Sequence, residues 1–146
     1  MKVLKQHNLI VSTLSGRIDS DAMRARIKQA LGDKDFVWNM DRLVLLDEKS
    51  DMSQLDLRDL FSIKDDVLRA YFGDRLPDPS DLPIYRIAVV CSNRGNAGIV
   101  KLYSTVWETD RSPYVDVKPF DTIADALSWL GRRAVSEEEI RQAAVP

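Results

Sequence analysis

The chain has 146 residues, 45% of them hydrophobic and 30% charged, with 21 basic against 23 acidic side chains for a net charge of −2. A chain of that length builds one domain with its own core, its evenly mixed charge leaves no basic stripe to track a nucleic-acid backbone, and its single cysteine excludes an intramolecular disulfide. No apolar run approaches the roughly 20 residues of a membrane-spanning helix. Met1–Asn8 also lacks the apolar core of a secretory signal, so a cytoplasmic location without a transmembrane segment is expected.

Asn8–Ser15 is β-branched and partly alternating, and reads as the first strand, ending at Gly16. Asp19 or Ser20 is placed to cap a helix whose Met23, Ile27, Ala30 and Leu31 share one face, with Gly32 closing it in the left-handed conformation. Phe36–Trp38 reads as a short extended piece. Arg42–Asp47 is a second strand, apolar through its middle and so interior to a sheet. Ser53 then caps a helix over about Gln54–Phe72, in which Leu57, Leu60, Phe61, Ile63, Val67, Leu68, Tyr71 and Phe72 form a wide apolar face. Lys64 falls inside that stripe, where an ammonium must snorkel, pair, or face a cavity or interface.

Gly73–Pro83 carries three prolines and a glycine, which exclude regular structure, and reads as a lid or a mobile connector. Tyr85–Ile99 is the centre of the pattern. Arg86–Ser92 is a buried strand that enters a helix through the glycine-bearing turn Asn93–Gly98, and many α/β domains bind ligands where such a turn leaves a central strand. Ile99, Val100, Leu102, Tyr103, Val106 and Trp107 form the apolar face of that helix, which Ser112-Pro113 breaks. Tyr114–Phe120 alternates as a strand that Pro119 places at an edge. Asp121 or Thr122 caps a helix carrying Ile123, Ala126, Leu127 and Leu130, which Gly131 stops. Ser136 and Glu139 make a capping-box pattern at the start of the acidic tail. The alternation of strand and helix predicts an α/β sandwich over residues 1–132, with a mostly parallel or mixed sheet of four to five strands. Residues 133–146 form an acidic tail with one short helix.

The chemistry-bearing residues are sparse. His7 is the sole histidine and Cys91 the sole thiol, so no zinc spacing exists and no metal or cofactor is expected. Asp47, Glu48 and Asp51 cluster after the second strand, a pattern that solvation explains. Neither a Gly-x-Ser-x-Gly elbow nor a Ser–His or Cys–His pairing is evident, so no catalytic residues are assigned and the chain reads as a non-enzyme. Cys91 reads as a buried, inert thiol. Gly95 and Gly98 fit neither the dinucleotide pattern nor the P-loop; their reading is a turn that needs positive φ, with Arg94 as the adjacent charge.

Gly16-Arg17-Ile18, Arg42–Asp47, Arg86–Val90 and the closing Phe120-Asp121…Ala126-Leu127…Trp129-Leu130 occur in an order that resembles the SpoIIAA-like branch of the STAS fold, related in shape to CRAL-TRIO lipid carriers. The resemblance covers roughly Leu9–Arg132. It implies a small cytoplasmic α/β domain with no shared catalytic residues. Regulatory STAS proteins carry Asp-Ser-Ser-Gly after the second strand, with a phosphorylated serine; the corresponding stretch here is Asp51-Met52-Ser53-Gln54, which makes Ser53 the candidate phosphorylation site and helix capping its alternative. The chain departs from typical members at Asn93–Gly98, where they carry an aromatic residue, and through Gly73–Pro83.

Two functional readings follow. The first is a regulatory module acting on a protein partner or as a homodimer through the Gln54–Phe72 face. The second is a small apolar-ligand or lipid-binding domain with a pocket beneath helices 54–72 and 96–107. Phe61, Tyr71, Tyr103 and Trp107 would line it, Lys64 would meet an acidic head group, and Arg94 would add charge.

Overall fold

Aliphatic and β-branched runs pair edge to edge into one five-stranded mixed sheet, in the computed structural model that describes residues 1–37, 39–73, 78, 85–109 and 115–144. The strands are β1 (Lys2–Leu4), β2 (Leu9–Leu14), β3 (Asp41–Leu46), β4 (Tyr85–Cys91) and β5 (Val115–Phe120), and they lie side by side in chain order. β1 is antiparallel to β2, and every other neighbouring pair is parallel. The helices are α1 (Ser20–Leu31), α2 (Leu57–Phe72), α3 (Arg94–Glu108), α4 (Ile123–Trp129) and α5 (Glu137–Ala144). The α/β fold expected from the alternation is therefore present.

The serial strand order decides where the helices go. Crossovers between parallel strands are right-handed, so three successive crossovers stepping in one direction leave α1, α2 and α3 on the same side. Leu14, Leu46, Ile87, Val89, Val115 and Val117 point to that side and pack with Ile27, Leu60, Ile63, Val67, Val100, Val106 and Trp107. The alternate residues Leu9, Val11, Leu43, Ala88 and Val90 point to the opposite side, where α4 and α5 cover them with Ala126, Leu127, Leu130, Ile140 and Ala143. Two cores share one sheet, and period-2 alternation sorts each strand between them. The acidic tail contributes directly: Ile140 and Ala143 of α5 are buried, and the Thr13 hydroxyl donates to the Ala144 carbonyl at 3.2 Å.

Several local expectations change. β3, not β4, is the middle strand, because β1 adds an edge that the polar N-terminal sequence does not announce. Ser53 does not cap the helix. Asp56 does, accepting from the Asp59 amide while the Asp59 side chain accepts from the Asp56 amide in a reciprocal capping box, so the helix starts at Leu57. Gly32 has φ −83° rather than a left-handed value. Gly95 and Gly98 lie inside α3, and neither has positive φ. Positive φ occurs instead at Gly16 (70°) and Gly131 (71°), which turn the chain out of β2 and past α4. Phe36 and Val37 belong to no strand. Asp19 and Thr122 do cap α1 and α4, accepting from Ala22 and Asp125 respectively. Trp38, Tyr114, the Ser112-Pro113 break and most of Gly73–Pro83 lie outside the described residues.

At the amino ends of β3 and β4, an ionic clamp closes the α4 side. Asp41, 7% exposed, accepts from the Arg86 amide at 2.7 Å and forms ion pairs with Arg86 (3.4 Å) and Arg132 (3.1 Å). Arg86 also donates to the carbonyls of Trp129 (2.6 Å) and Leu130 (2.9 Å), two of the acceptors that the end of α4 leaves without an intrahelical donor. Arg132 donates to the carbonyls of His7 and Leu130. The carboxylate thus ties two strands, a helix end and the β1–β2 connection together.

Candidate functional site

The six side chains proposed for a ligand pocket do not converge. Lys64 is buried on α2, where its Nζ donates to the Val106 carbonyl at 3.3 Å and lies 5.5 Å from the centre of the Trp107 ring. An ammonium at the carboxyl end of α3 meets the negative end of the helix dipole, so this lysine is satisfied within the α2–α3 contact. Trp107 is 1% exposed and edge-on to Tyr103, with centroids 6.2 Å apart. Phe61 is 42% exposed and shares an outward edge of α2 with Leu57, at 48%. Arg94 is the exposed first residue of α3. Ser53 is exposed in the turn before α2, with its amide held by the Asp51 carboxylate at 2.9 Å. Its hydrogen bonds draw the Asp51 carboxyl below the usual range.

A cavity of about 70 Å³ lies between the sheet and α1–α3. Leu14, Val44, Leu46, Ile87 and Val89 floor it, and Ile27, Val67, Val100 and Tyr103 roof it. Tyr103 is the one anticipated residue on its wall. The polar side chains there are Ser12, Arg26 and Arg42. The size exceeds what one water needs but falls below the ~150 Å³ of an engineered cavity that binds benzene.

Arg42 gives this cavity its chemistry. Its Nη2 donates to the Tyr71 hydroxyl, and its guanidinium carbon stands 5.2 Å from the centre of the Tyr71 ring. Its Nε is buried and has no hydrogen-bond acceptor among the described residues. Tyr71 in turn packs between Phe36 (5.5 Å) and Tyr85 (5.6 Å), and the Tyr85 hydroxyl is likewise buried without a partner among the described residues. Burial pushes the hydroxyls of Tyr71, Tyr85 and Tyr103 above their ordinary range, and the Arg42 charge opposes this only in part. All three stay neutral and able to donate. Among the described residues, neither Arg42 nor Arg26 has a carboxylate within ion-pair distance.

Arg42 and Tyr85 escape a sequence reading that searches for motifs, but a strand-level signal exists. Arg42 is in phase with Val44 and Leu46, so the alternation that buries those two places a cation on the same face. Tyr85 shares a face with Ile87 and Val89 in the same way.

The Asn93–Gly98 segment has a different role. Asn96, 4% exposed, accepts from the Met52 amide at 3.1 Å and donates to the Ser50 carbonyl and hydroxyl, both at 3.0 Å. It latches the start of α3 to the β3–α2 connection. Beside it, an open groove of about 240 Å³ is lined by Cys91, Lys101, Phe120 and Asp121 among others. The Cys91 thiol donates to the Asn93 carbonyl at 3.2 Å; burial raises it above its usual range, and the Asp121 charge adds to that shift. Such a thiol is a poor nucleophile. Among the described residues there is no group of three or more His, Cys, Asp or Glu side chains able to hold a metal ion, and no helix is long and apolar enough to cross a membrane.

No protein-family model, curated protein or solved structure matches this chain.

Proposed function

We propose that this chain is a STAS-like regulatory module whose input is a small, largely apolar ligand held between the sheet and α1–α3. The observation that carries the reading is the cavity on that face, walled by aliphatic side chains from three strands and three helices. An apolar enclosure with a few polar groups is the usual form of a small-molecule site. Helices α1–α3 all roof the cavity, so a ligand that fills it changes the packing of the whole helical face. That gives a binding event a route to a surface another protein can read.

Solution NMR with 3-methylbutanol as the probe tests this. Saturable methyl shifts confined to Met23, Ile27, Val67, Val89 and Val100 are expected. Shifts that are absent, or scattered over both cores, would remove the reading.

A second reading, self-association or partner docking through α2, draws on Leu57 and Phe61, two large apolar side chains exposed four residues apart. It predicts a solution mass that rises with concentration and that Phe61→Asp returns to the monomer value. A constant monomeric mass would end it. Leu60→Asp is no test of the same face, because Leu60 is 1% exposed and its loss breaks the core.

A further inference from the structure

We propose that the Arg42 end of the cavity is a carboxylate-recognition site, and that the ligand class is a short, branched aliphatic acid such as isobutyrate or isovalerate. The inference rests on the cavity being a ligand site and adds the chemistry of its occupant.

Placing a guanidinium on the apolar face of an inner strand is costly unless something compensates the charge. On the α4 face the chain supplies that compensation in full, with Asp41 and helix-end carbonyls around Arg86. On the α1–α3 face Arg42 receives a neutral tyrosine hydroxyl and the face of its ring, and its buried Nε donor remains unspent. Behind Arg42, off the cavity wall, the Tyr85 ring packs on Tyr71, and its buried hydroxyl also has no partner among the described residues. A further cation, Arg26, stands on the same cavity wall. The unsatisfied groups are therefore donors and positive charge, which calls for an acceptor with negative charge.

A carboxylate fits that inventory. Its two oxygens suit the planar donors of an arginine, and one negative charge offsets the one guanidinium that is drawn into the apolar face. Phosphate, with more charge and more oxygens, needs a denser set of donors than Arg42 and Ser12 on the cavity wall provide. The remaining wall is aliphatic and asks for a branched hydrocarbon body. The volume of about 70 Å³ admits only a short hydrocarbon body, and the pocket is partly open, so the head group need not be enclosed with it. The polar end of the site is also unusual in position. Arg42 sits at the amino end of β3, opposite to the strand ends where α/β ligands commonly bind. A search guided by the strand-to-helix turns looks at the wrong end of the sheet.

Titration calorimetry on the full chain decides the matter, using isovalerate, its neutral isostere isovaleramide, and laurate as the long-chain acid. Isovalerate is expected to bind at least about ten-fold more tightly than isovaleramide, the size of a hydrogen-bonded charge contribution. Arg42→Gln should erase that preference, and Arg42→Lys should restore part of it. Circular dichroism and a urea melt show whether each variant is folded. Equal binding of acid and amide, or an unchanged preference in folded Arg42→Gln, overturns the carboxylate assignment while leaving the apolar cavity intact as a site. Tighter binding of laurate than of isovalerate overturns the short-chain assignment. Binding of none of the three probes, together with an unresponsive methyl spectrum, overturns the cavity reading as well.

Discussion

Arg42 and Arg86 occupy neighbouring strands near the same end of the sheet, offset by one position in a register that sets Arg42 opposite Ile87. They point to opposite faces, and their surroundings differ in kind. Arg86 has the Asp41 carboxylate, two carbonyls from the end of α4 and the face of Trp129 at 5.4 Å. Arg42 has a tyrosine hydroxyl, an aromatic face and a buried donor with no acceptor. Two residues of one type, at similar depth on one sheet, thus perform different tasks. A cation whose charge and buried donors are met by its own chain is a fastening. A cation left with charge and a donor to spare is equipped for something that arrives from outside.

The largest effect should come from cutting the fastening. Asp41→Asn removes the carboxylate that Arg86 and Arg132 share, and among the described residues leaves two partly buried guanidiniums without a counter-charge. Breaking one side of a buried pair costs about 3 kcal/mol, so urea unfolding should show a loss of that order with an unchanged dependence on denaturant. A loss under about 1 kcal/mol would mean that the helix-end carbonyls hold the arginines alone, and the contrast with Arg42 would shrink to a difference of degree.

Lys64 is the buried cation that the α1–α3 face does fasten. This lysine is as buried as Asp41, but it donates to the Val106 carbonyl and lies over Trp107. Lys64→Met keeps the aliphatic stem and removes the charge, the hydrogen bond and the cation–π contact. A stability loss of about 1 kcal/mol is expected from those terms. A gain instead would show that burying this cation costs more than its contacts return, and the contrast with Arg42 would weaken.

Strand positions, helix positions and the α/β class were legible because they depend on hydrophobic period, which local residue order carries. The serial sheet order follows once the crossovers are right-handed. The β1 edge was not legible, since Lys2–Leu4 is short and pairs only through β2. The start of α2 was misplaced because Ser53 and Asp56 are both good capping residues, and the choice falls to Asp56 through its reciprocal bond with Asp59. The aromatic residues gathered as a pocket share a helical stripe, but packing divides them: Trp107 goes into the core, Phe61 to solvent, and Tyr71 toward Arg42. Whether a charged side chain is balanced depends on residues far away in sequence. Asp41 and Arg132 are 91 positions apart by their numbering, and no local pattern foretells that Arg86 gains such a partner while Arg42 gains none among the described residues.

The smallest expected effect is the most informative. Arg42→Met replaces a guanidinium by an apolar chain that reaches into the same cavity wall. It removes the desolvation cost of the charge and the unspent Nε donor. It also frees the hydroxyl of Tyr71, a residue that is half-buried as a whole. The stem packs as before. These contributions nearly cancel, so stability in the urea assay should stay within about 1 kcal/mol of the parent, and any change should be a gain, as when buried ionic groups give way to well-packed apolar ones. Loss of 2 kcal/mol or more would place Arg42 with Arg86 among the fastenings, because the tyrosine hydroxyl and ring would then be sufficient partners for its charge. Neutrality or a gain, set beside the loss in Asp41→Asn, would mean that folding does not require this cation, and that its place on the cavity wall answers to binding.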